Sequence, residues 1–164
     1  MSIEIIILII VFVIVAVMGF SVFFGAPYIP TRRKWASDAL RLVKLKKSDL
    51  VVDLGSGDGV ILDLVAKTGA QAIGYEINPV LYLISLAKTR RYGSRVTVRL
   101  KNFWTEKLPS DTTAVYVFGL ERDAMKLENY LTEQGIRGLK VITFGFKLPK
   151  KPIKKTKSVF IFSL

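Results

Sequence analysis

The chain has 164 residues, a formal net charge of +12, and neither cysteine nor histidine. These absences exclude disulfides, thiolate nucleophiles, thiolate or imidazole metal sites and the usual histidine acid–base chemistry. Any reaction carried out by this chain must therefore be driven largely by a bound cofactor.

The first two dozen residues are almost uniformly apolar, with Glu4 the only charged residue between Ile3 and Phe24. A helix of this length would measure about 33 Å, enough to cross a bilayer core of roughly 30 Å. A signal peptide would have a basic start and a small-residue cleavage site, and a buried core helix would not be apolar on every face. We therefore predict a transmembrane anchor over residues 3–24.

The charges around this segment predict its orientation. No lysine or arginine precedes it, whereas Arg32, Arg33 and Lys34 follow it closely. The positive-inside rule places the remainder of the chain in the cytoplasm, with the N-terminus outside. No arginine-rich presequence is present, which favours a prokaryotic cell membrane. A basic domain beside a membrane is expected to contact anionic lipid, and this makes nucleic acid an unlikely partner.

Residues 25–49 contain a turn with two prolines and then an amphipathic helix over 32–45, which together are expected to cover a bound cofactor. From residue 50 onward, apolar strands alternate with helices. Strands are predicted over 50–54, 71–76, 96–100, 114–118, 139–146 and 159–162, and helices over 60–68, 79–91 and 122–134. This alternation predicts one α/β domain over residues 50–164, with a Rossmann-like, doubly wound, mostly parallel sheet.

A glycine-rich turn, Asp53-Leu-Gly-Ser-Gly-Asp-Gly59, follows the first predicted strand. Glycines allow the backbone to bend sharply and to approach a ligand closely, and doubly wound folds bind ligands at this end of the strand. Val60 stands where a dinucleotide-binding fingerprint has its third glycine, which disfavours NAD and FAD.

Two further positions match a nucleoside ligand. Glu76 ends the second strand, where a carboxylate can accept ribose hydroxyls. Asn102 and Phe103 follow the third strand, where an amide oxygen can accept from an adenine amino group and an aromatic ring can pack on the base. Without a ligand role, Glu76 would be an ordinary surface glutamate. Asn102 would then be a loop amide beside Phe103, a core aromatic residue. If Glu76 is a surface ligand, Glu76→Ala should weaken cofactor binding and leave the fold intact.

With the glycine-rich turn, Glu76 and Asn102-Phe103 following the first three strands, the chain from Leu50 onward resembles the class I S-adenosylmethionine-dependent methyltransferases. The resemblance implies S-adenosyl-L-methionine as cofactor, with Asp53 helping to hold its methionine end and Gly55 and Gly57 lining its path. The residue that contacts adenine in that family is usually acidic, and Asn102 departs from this pattern.

The methyl acceptor is narrowed by elimination. Methyltransferases acting on exocyclic amines of bases or on glutamine amides carry an Asn/Asp-Pro-Pro-Tyr/Phe element where this chain has Val117-Phe-Gly-Leu-Glu121. Cytosine C5 chemistry requires a cysteine nucleophile, which is absent. Catechol-type O-methylation usually relies on a metal site with several carboxylates, and the sequence has no such cluster.

A closer resemblance is to membrane-anchored protein lysine methyltransferases, whose mitochondrial members act on the ATP synthase c subunit and the adenine nucleotide translocase. It is carried by the apolar N-terminus and by motifs including Pro27-Tyr-Ile-Pro-Thr31, Gly74-Tyr-Glu-Ile-Asn-Pro79 and Phe146-Lys-Leu-Pro-Lys-Lys-Pro152. It implies a protein lysine as acceptor, in a membrane protein, and Thr31 as a ligand of the cofactor carboxylate. Lys150 and Lys151 stand where relatives have an aromatic residue.

Lysine methylation suits a chain without a histidine base. Burial against a cationic cofactor lowers the pKa of the acceptor lysine, and aromatic faces can guide the amine by cation–π contact. Tyr28, Trp104 and Phe146 are the predicted wall, although core packing is the alternative for each. A membrane lipid or quinone methyltransferase, a non-catalytic protein that binds S-adenosylmethionine and, less favoured, an RNA methyltransferase remain as alternative functions.

Overall fold

In the computed structural model, which describes residues 2–24, 33–119 and 121–164, strands and helices alternate from residue 50 onward. The strands are β1 (Leu50–Leu54), β2 (Gln71–Glu76), β3 (Val96–Leu100), β4 (Ala114–Phe118), β5 (Lys140–Phe144), β6 (Lys154–Lys155) and β7 (Val159–Ser163). The α-helices are α1 (Ile3–Phe24), α2 (Arg33–Val43), α3 (Val60–Lys67), α4 (Pro79–Thr89) and α5 (Ala124–Glu133), and short 3-10 turns cover Arg90–Arg95, Phe103–Thr105 and Glu121–Asp123.

The strands form one sheet in the order β3-β2-β1-β4-β5-β7-β6. Strands β1 to β5 are parallel, and β7 runs antiparallel to both β5 and β6. This confirms the predicted α/β class with a mostly parallel sheet. The chain moves outward from β1 in one direction through β2 and β3, and then in the other through β4, so a crevice is expected between the ends of β1 and β4.

Each strand contributes alternate side chains to two apolar layers, because successive residues of a strand point to opposite faces. One layer, here called the α3 face, contains Val51 and Tyr116 and is covered by α2 and α3. The other, here called the α5 face, contains Val52 and Val115 and is covered by α5. Both faces of the sheet are thus buried, as expected for parallel strands joined by helices.

Predicted and observed bounds differ by one or two residues at several helix ends and at β5 and β7, and the structure adds one short strand. Strand β5 is shorter than the predicted 139–146, because Gly145 takes a left-handed φ of +86° and the chain leaves the sheet there. The two-residue strand β6 was missed, since Lys154 and Lys155 show no apolar alternation; it pairs with β7 at the edge of the sheet. Exposed lysines are a common protection of such an edge against further strand pairing.

The large apolar side chains of α1 whose burial is described, between Ile3 and Val15, are exposed, and that of Phe12 is 73% accessible. Counting only the residues that the structure describes, no helix reaches the combined length and apolarity of a membrane-crossing segment. The transmembrane anchor predicted over residues 3–24 is therefore not supported by the structure.

A buried carboxylate, Asp63 of α3, joins three segments of the domain. It accepts hydrogen bonds from Arg33 of α2, from Arg91, and from the Tyr92 hydroxyl at 2.6 Å. Lys67 completes the set at 3.2 Å. Burial alone would raise the pKa of Asp63, but the hydrogen bonds from Tyr92, Arg91 and Lys67 outweigh it and hold that pKa well below its usual range. The ionised Asp63 thus fixes α2 and the 3-10 turn after α4 against α3.

We predict that Asp63→Asn lowers the free energy of unfolding at pH 7 by about 1–3 kcal/mol, because the donors lose a charged acceptor. Since folding depresses the pKa of Asp63, its stabilisation is present above the unfolded pKa of about 3.9 and is lost as the pH falls below it. Urea unfolding between pH 7 and pH 3 should show a smaller acid loss in Asp63→Asn than in the wild type. The exposed Asp38→Asn is the control, and an unchanged acid profile in Asp63→Asn would contradict the assignment.

Candidate active site

The glycine-rich turn between β1 and α3 forms the floor of the candidate site. The N–H groups of Gly55 and Ser56 both donate to the Tyr75 carbonyl at 2.9 Å, which holds the turn against the end of β2. Gly55 has a φ of +85° and is exposed, and no atom lies within 4 Å of the place a Cβ would occupy. The backbone at Gly55 is therefore open to close approach by a ligand.

Glu76 stabilises this turn from the neighbouring strand. Its Oε2 accepts from Gly57 N at 2.7 Å, and its Oε1 accepts from Ile77 N at 2.9 Å and from Asn78 N at 2.8 Å. The residue is only 6% exposed. A carboxylate has about four lone-pair positions, so three N–H groups leave room for one more donor, such as a ribose hydroxyl.

The sequence-based view of Glu76 as a surface ligand therefore changes. Its place at the end of β2 is as predicted, but the carboxylate is buried and bonded to backbone N–H groups on both sides of the site. Removal of that carboxylate would leave these N–H groups without an acceptor, so Glu76→Ala is expected to affect folding as well as ligand binding.

Asp53, at the end of β1, is a buried carboxyl with an unused oxygen. It is 2% exposed, and its Oδ2 has no hydrogen-bond partner among the described residues. Burial, and then the neighbouring carboxylates Glu76 and Asp58, raise the pKa of Asp53 well above its usual value. A cation placed beside Asp53 would supply both the missing donor and the missing positive charge, as the ammonium of an amino acid can.

The turn after β3 places Asn102 and Phe103 at the carboxyl ends of the parallel strands, where the glycine-rich turn and Glu76 also lie. Asn102 is exposed, and its Oδ1 accepts from Trp104 N at 3.2 Å, so the amide oxygen begins the 3-10 turn. A second lone pair on that oxygen is left for an external donor. The half-buried Phe103 ring lies 4.6 Å from the Trp104 ring and 6.1 Å from that of Tyr130, between centroids.

Of the predicted aromatic wall, the structure describes Trp104 and Phe146. Phe146 is buried within the apolar layer of the α5 face, and the half-buried Trp104 packs against the same layer. The Lys126 ammonium lies 4.3 Å from the centroid of the Trp104 ring, so this ring already receives an amine by cation–π contact. Tyr28 and Thr31 lie outside the described residues, and their assigned roles stay predictions.

Two contacts that support the turn were missed from the sequence. Asn78 is the N-cap of α4, accepting from Val80 N at 2.9 Å, and its own N–H binds Glu76. Asp58 of the turn forms an ion pair with Lys88 of α4. Asn78 could have been recognised from the Asn-Pro step, because asparagine before a proline is a common helix start. The Asp58–Lys88 pair spans thirty residues and has no local signal.

Comparison with known proteins places this arrangement in context. A family model described as the ANTKMT methyltransferase domain matches residues 53–155, which include the glycine-rich turn, Glu76 and Asn102. A solved structure of an RNA methyltransferase from Salinibacter ruber, in complex with S-adenosyl-L-homocysteine, has a similar fold. It superposes with a TM-score of 0.74 at 25% identity, covering 82% of this chain and 93% of that one.

Two of the curated relatives are named as lysine methyltransferases. The lysine N-methyltransferase for the ATP synthase c subunit of Xenopus laevis is 32% identical over 125 residues, covering 75% of this chain and 54% of that protein. The chain thus spans about half the length of this relative. A protein-lysine N-methyltransferase of Saccharolobus islandicus is 32% identical over 136 residues, covering 78% of this chain and 84% of that protein.

We predict that Glu76→Ala lowers the free energy of unfolding by about 2–4 kcal/mol, because three N–H groups lose a charged acceptor. Glu76→Gln should cost less, since its amide oxygen can still accept from Ile77 and Asn78. Urea denaturation of both variants tests this order, with Gln71→Ala, at the exposed start of the same strand, as the control. A Glu76→Ala protein as stable as the wild type would show that the carboxylate does not stabilise the turn.

Proposed function

The chain belongs to the family of the ANTKMT methyltransferase domain, and from this membership we propose that it is an S-adenosyl-L-methionine-dependent methyltransferase that modifies lysine side chains of proteins. The observation that carries the proposal is the combination at the end of β1. A glycine-rich turn open at Gly55 is held by the buried Glu76 carboxylate, next to the unpartnered Oδ2 of Asp53. The two lysine methyltransferases described above support lysine as the acceptor.

Each part of the cofactor has a candidate partner. Glu76 has one free lone-pair position for a ribose hydroxyl, and Asp53 offers its Oδ2 to the ammonium of the methionine end. Gly55 and Gly57 allow the chain of the cofactor to lie against the backbone. Asn102 and Phe103 are the candidates for the adenine, and Thr31 stays a prediction for the carboxylate.

The cofactor supplies an electrophilic methyl group on a positively charged sulfur. The protein therefore has to bring a neutral lysine amine into line with that methyl group and keep other nucleophiles away. The N–C bond forms as the S–C bond breaks, and the proton of the amine passes to water. Most of the acceleration comes from proximity and alignment, so neither histidine nor cysteine is required.

Aromatic residues are proposed to orient the acceptor amine. The Trp104 ring binds the Lys126 ammonium at 4.3 Å, which supports the ability of this face to hold a lysine side chain. A ring carbon of Phe146 lies 3.4 Å from the position that a Cβ atom would occupy if Gly119 had one. Phe146 therefore borders the segment that follows the carboxyl end of β4. Tyr28 completes the proposed wall.

A membrane setting is the finer part of the proposal. It is supported by the exposed apolar side chains of α1, such as Phe12, by the basic residues that follow, and by the name of the Xenopus laevis relative. We propose that the acceptor is a membrane protein, that anionic lipid contacts the basic domain, and that this domain faces the cytoplasm of a prokaryotic cell.

An RNA acceptor is the second candidate, because the similar Salinibacter ruber structure is an RNA methyltransferase and the net charge here is +12.

The direct test incubates the purified full chain and labelled S-adenosyl-L-methionine with membrane and soluble fractions of a cell extract. We expect label in membrane proteins, recovered as methyllysine after hydrolysis. Asp53→Asn should reduce the incorporation about tenfold or more, because the ammonium loses its charged partner. Asp111→Asn, at an exposed position, should not reduce it.

The destination of the label separates the alternatives. Label found only in RNA, or only in an organic-solvent extract, would contradict protein methylation and favour an RNA or a lipid or quinone acceptor. Cofactor binding without transfer to any fraction would favour a non-catalytic protein. In cells that express the chain, its recovery in the soluble fraction and not in the membrane fraction would contradict the membrane location.

A further inference from the structure

Four buried side-chain oxygens in the described part of the chain have no hydrogen-bond partner. They are Asp53 Oδ2, Ser56 Oγ, Ser85 Oγ and Tyr116 Oη. The two serine oxygens are packed against glycines. If Gly74 carried a Cβ atom, that atom would lie 2.7 Å from Ser56 Oγ. A Cβ atom on Gly59 would lie 2.4 Å from Ser85 Oγ. These two oxygens therefore face the backbone of the glycines.

Asp53 and Tyr116 are different, because they lie side by side. They are register partners on the adjacent parallel strands β1 and β4. Asp53 lies two residues after Val51, and Tyr116 belongs to the same α3 face as Val51, so both side chains point to one side of the sheet. They are 2% and 1% exposed. Two unpartnered polar atoms thus occupy neighbouring positions on one face of the sheet.

This arrangement does not serve the stability of the free protein. A buried hydroxyl without a partner carries the full cost of its lost hydration, and phenylalanine would fill the same volume without that cost. Burial, and then the Asp53 charge, also raise the pKa of Tyr116, so the hydroxyl keeps its proton and is uncharged. The pair lies where the order of the strands reverses, which is where doubly wound folds bind ligands.

The chemistry of the pair indicates which part of a ligand it can hold. A carboxylate and a neutral hydroxyl both accept hydrogen bonds, and an ammonium has three donors to give. An ammonium can therefore satisfy Asp53 Oδ2 and Tyr116 Oη together, and its charge balances that of Asp53. A ligand carboxylate would be repelled by Asp53.

We infer that Tyr116 is a further cofactor-positioning residue, whose hydroxyl, together with Asp53, holds the α-ammonium of the methionine end of S-adenosyl-L-methionine. The inference rests on the proposed function and adds to it a residue that lies outside the glycine-rich turn. Tyr116 fixes the orientation of the amino-acid end and thereby the direction in which the sulfur presents its methyl group.

The test is titration calorimetry of the full chain with two ligands. S-adenosyl-L-homocysteine carries the amino acid, whereas 5′-methylthioadenosine has the same nucleoside and a thioether but no amino acid. We expect Tyr116→Phe to weaken binding of the first by about tenfold, as for the loss of a hydrogen bond to a charged group, and to leave binding of the second unchanged. Its melting temperature without ligand should equal or exceed that of the wild type.

Tyr82→Phe is the matched control, because Tyr82 packs against the same apolar layer from α4. This variant should bind both ligands as the wild type does. Unchanged affinity of Tyr116→Phe for S-adenosyl-L-homocysteine would overturn the inference alone. Equal loss for both ligands, or a lowered melting temperature, would show a packing role and also overturn it. A wild type that binds neither ligand would overturn the proposed function together with the inference.

Discussion

The buried Glu76 carboxylate is the interaction on which the rest of the site depends. One of its oxygens holds Gly57 N of the glycine-rich turn, and the other holds the backbone that leads into α4. Because one side chain binds both segments, the end of β1 and the end of β2 keep a fixed separation. The open backbone at Gly55 and the buried Asp53 are thereby presented to the same space before any ligand arrives, which reduces the entropy lost on binding.

The fold supplies the remaining constraints around this carboxylate. Parallel pairing of β1 with β2 and β4 brings Glu76, Asp53 and Tyr116 to one edge and one face of the sheet. Asp63 attaches α2 to α3, and Asp58 attaches the turn to α4 through Lys88. The carboxylates of this region thus have separate tasks. Asp63 is satisfied within the protein, Glu76 holds three backbone N–H groups and keeps one lone-pair position, and Asp53 retains an unused oxygen.

Much of the fold could be predicted, because buried parallel strands are short apolar runs that end in glycine or polar residues. The observed bounds of β1 to β4 are those predicted, and the glycine-rich turn follows β1 as predicted. Strand β6 was missed, since two exposed lysines carry no periodic signal. The burial of Glu76 and the partners of Asp63 could not be predicted, because they depend on contacts between residues far apart in sequence. Tyr116 lies in a predicted strand and has no predicted site role, because its hydroxyl becomes significant only beside Asp53.

The most direct test of the central claim is a crystal structure of the full chain with S-adenosyl-L-homocysteine. We expect a ribose hydroxyl on Glu76, the adenine beside Asn102 and Phe103, and the amino-acid end against Gly55 and Asp53. Density for the ligand anywhere other than beside the glycine-rich turn and Glu76, or a ribose that does not contact Glu76, would contradict this claim.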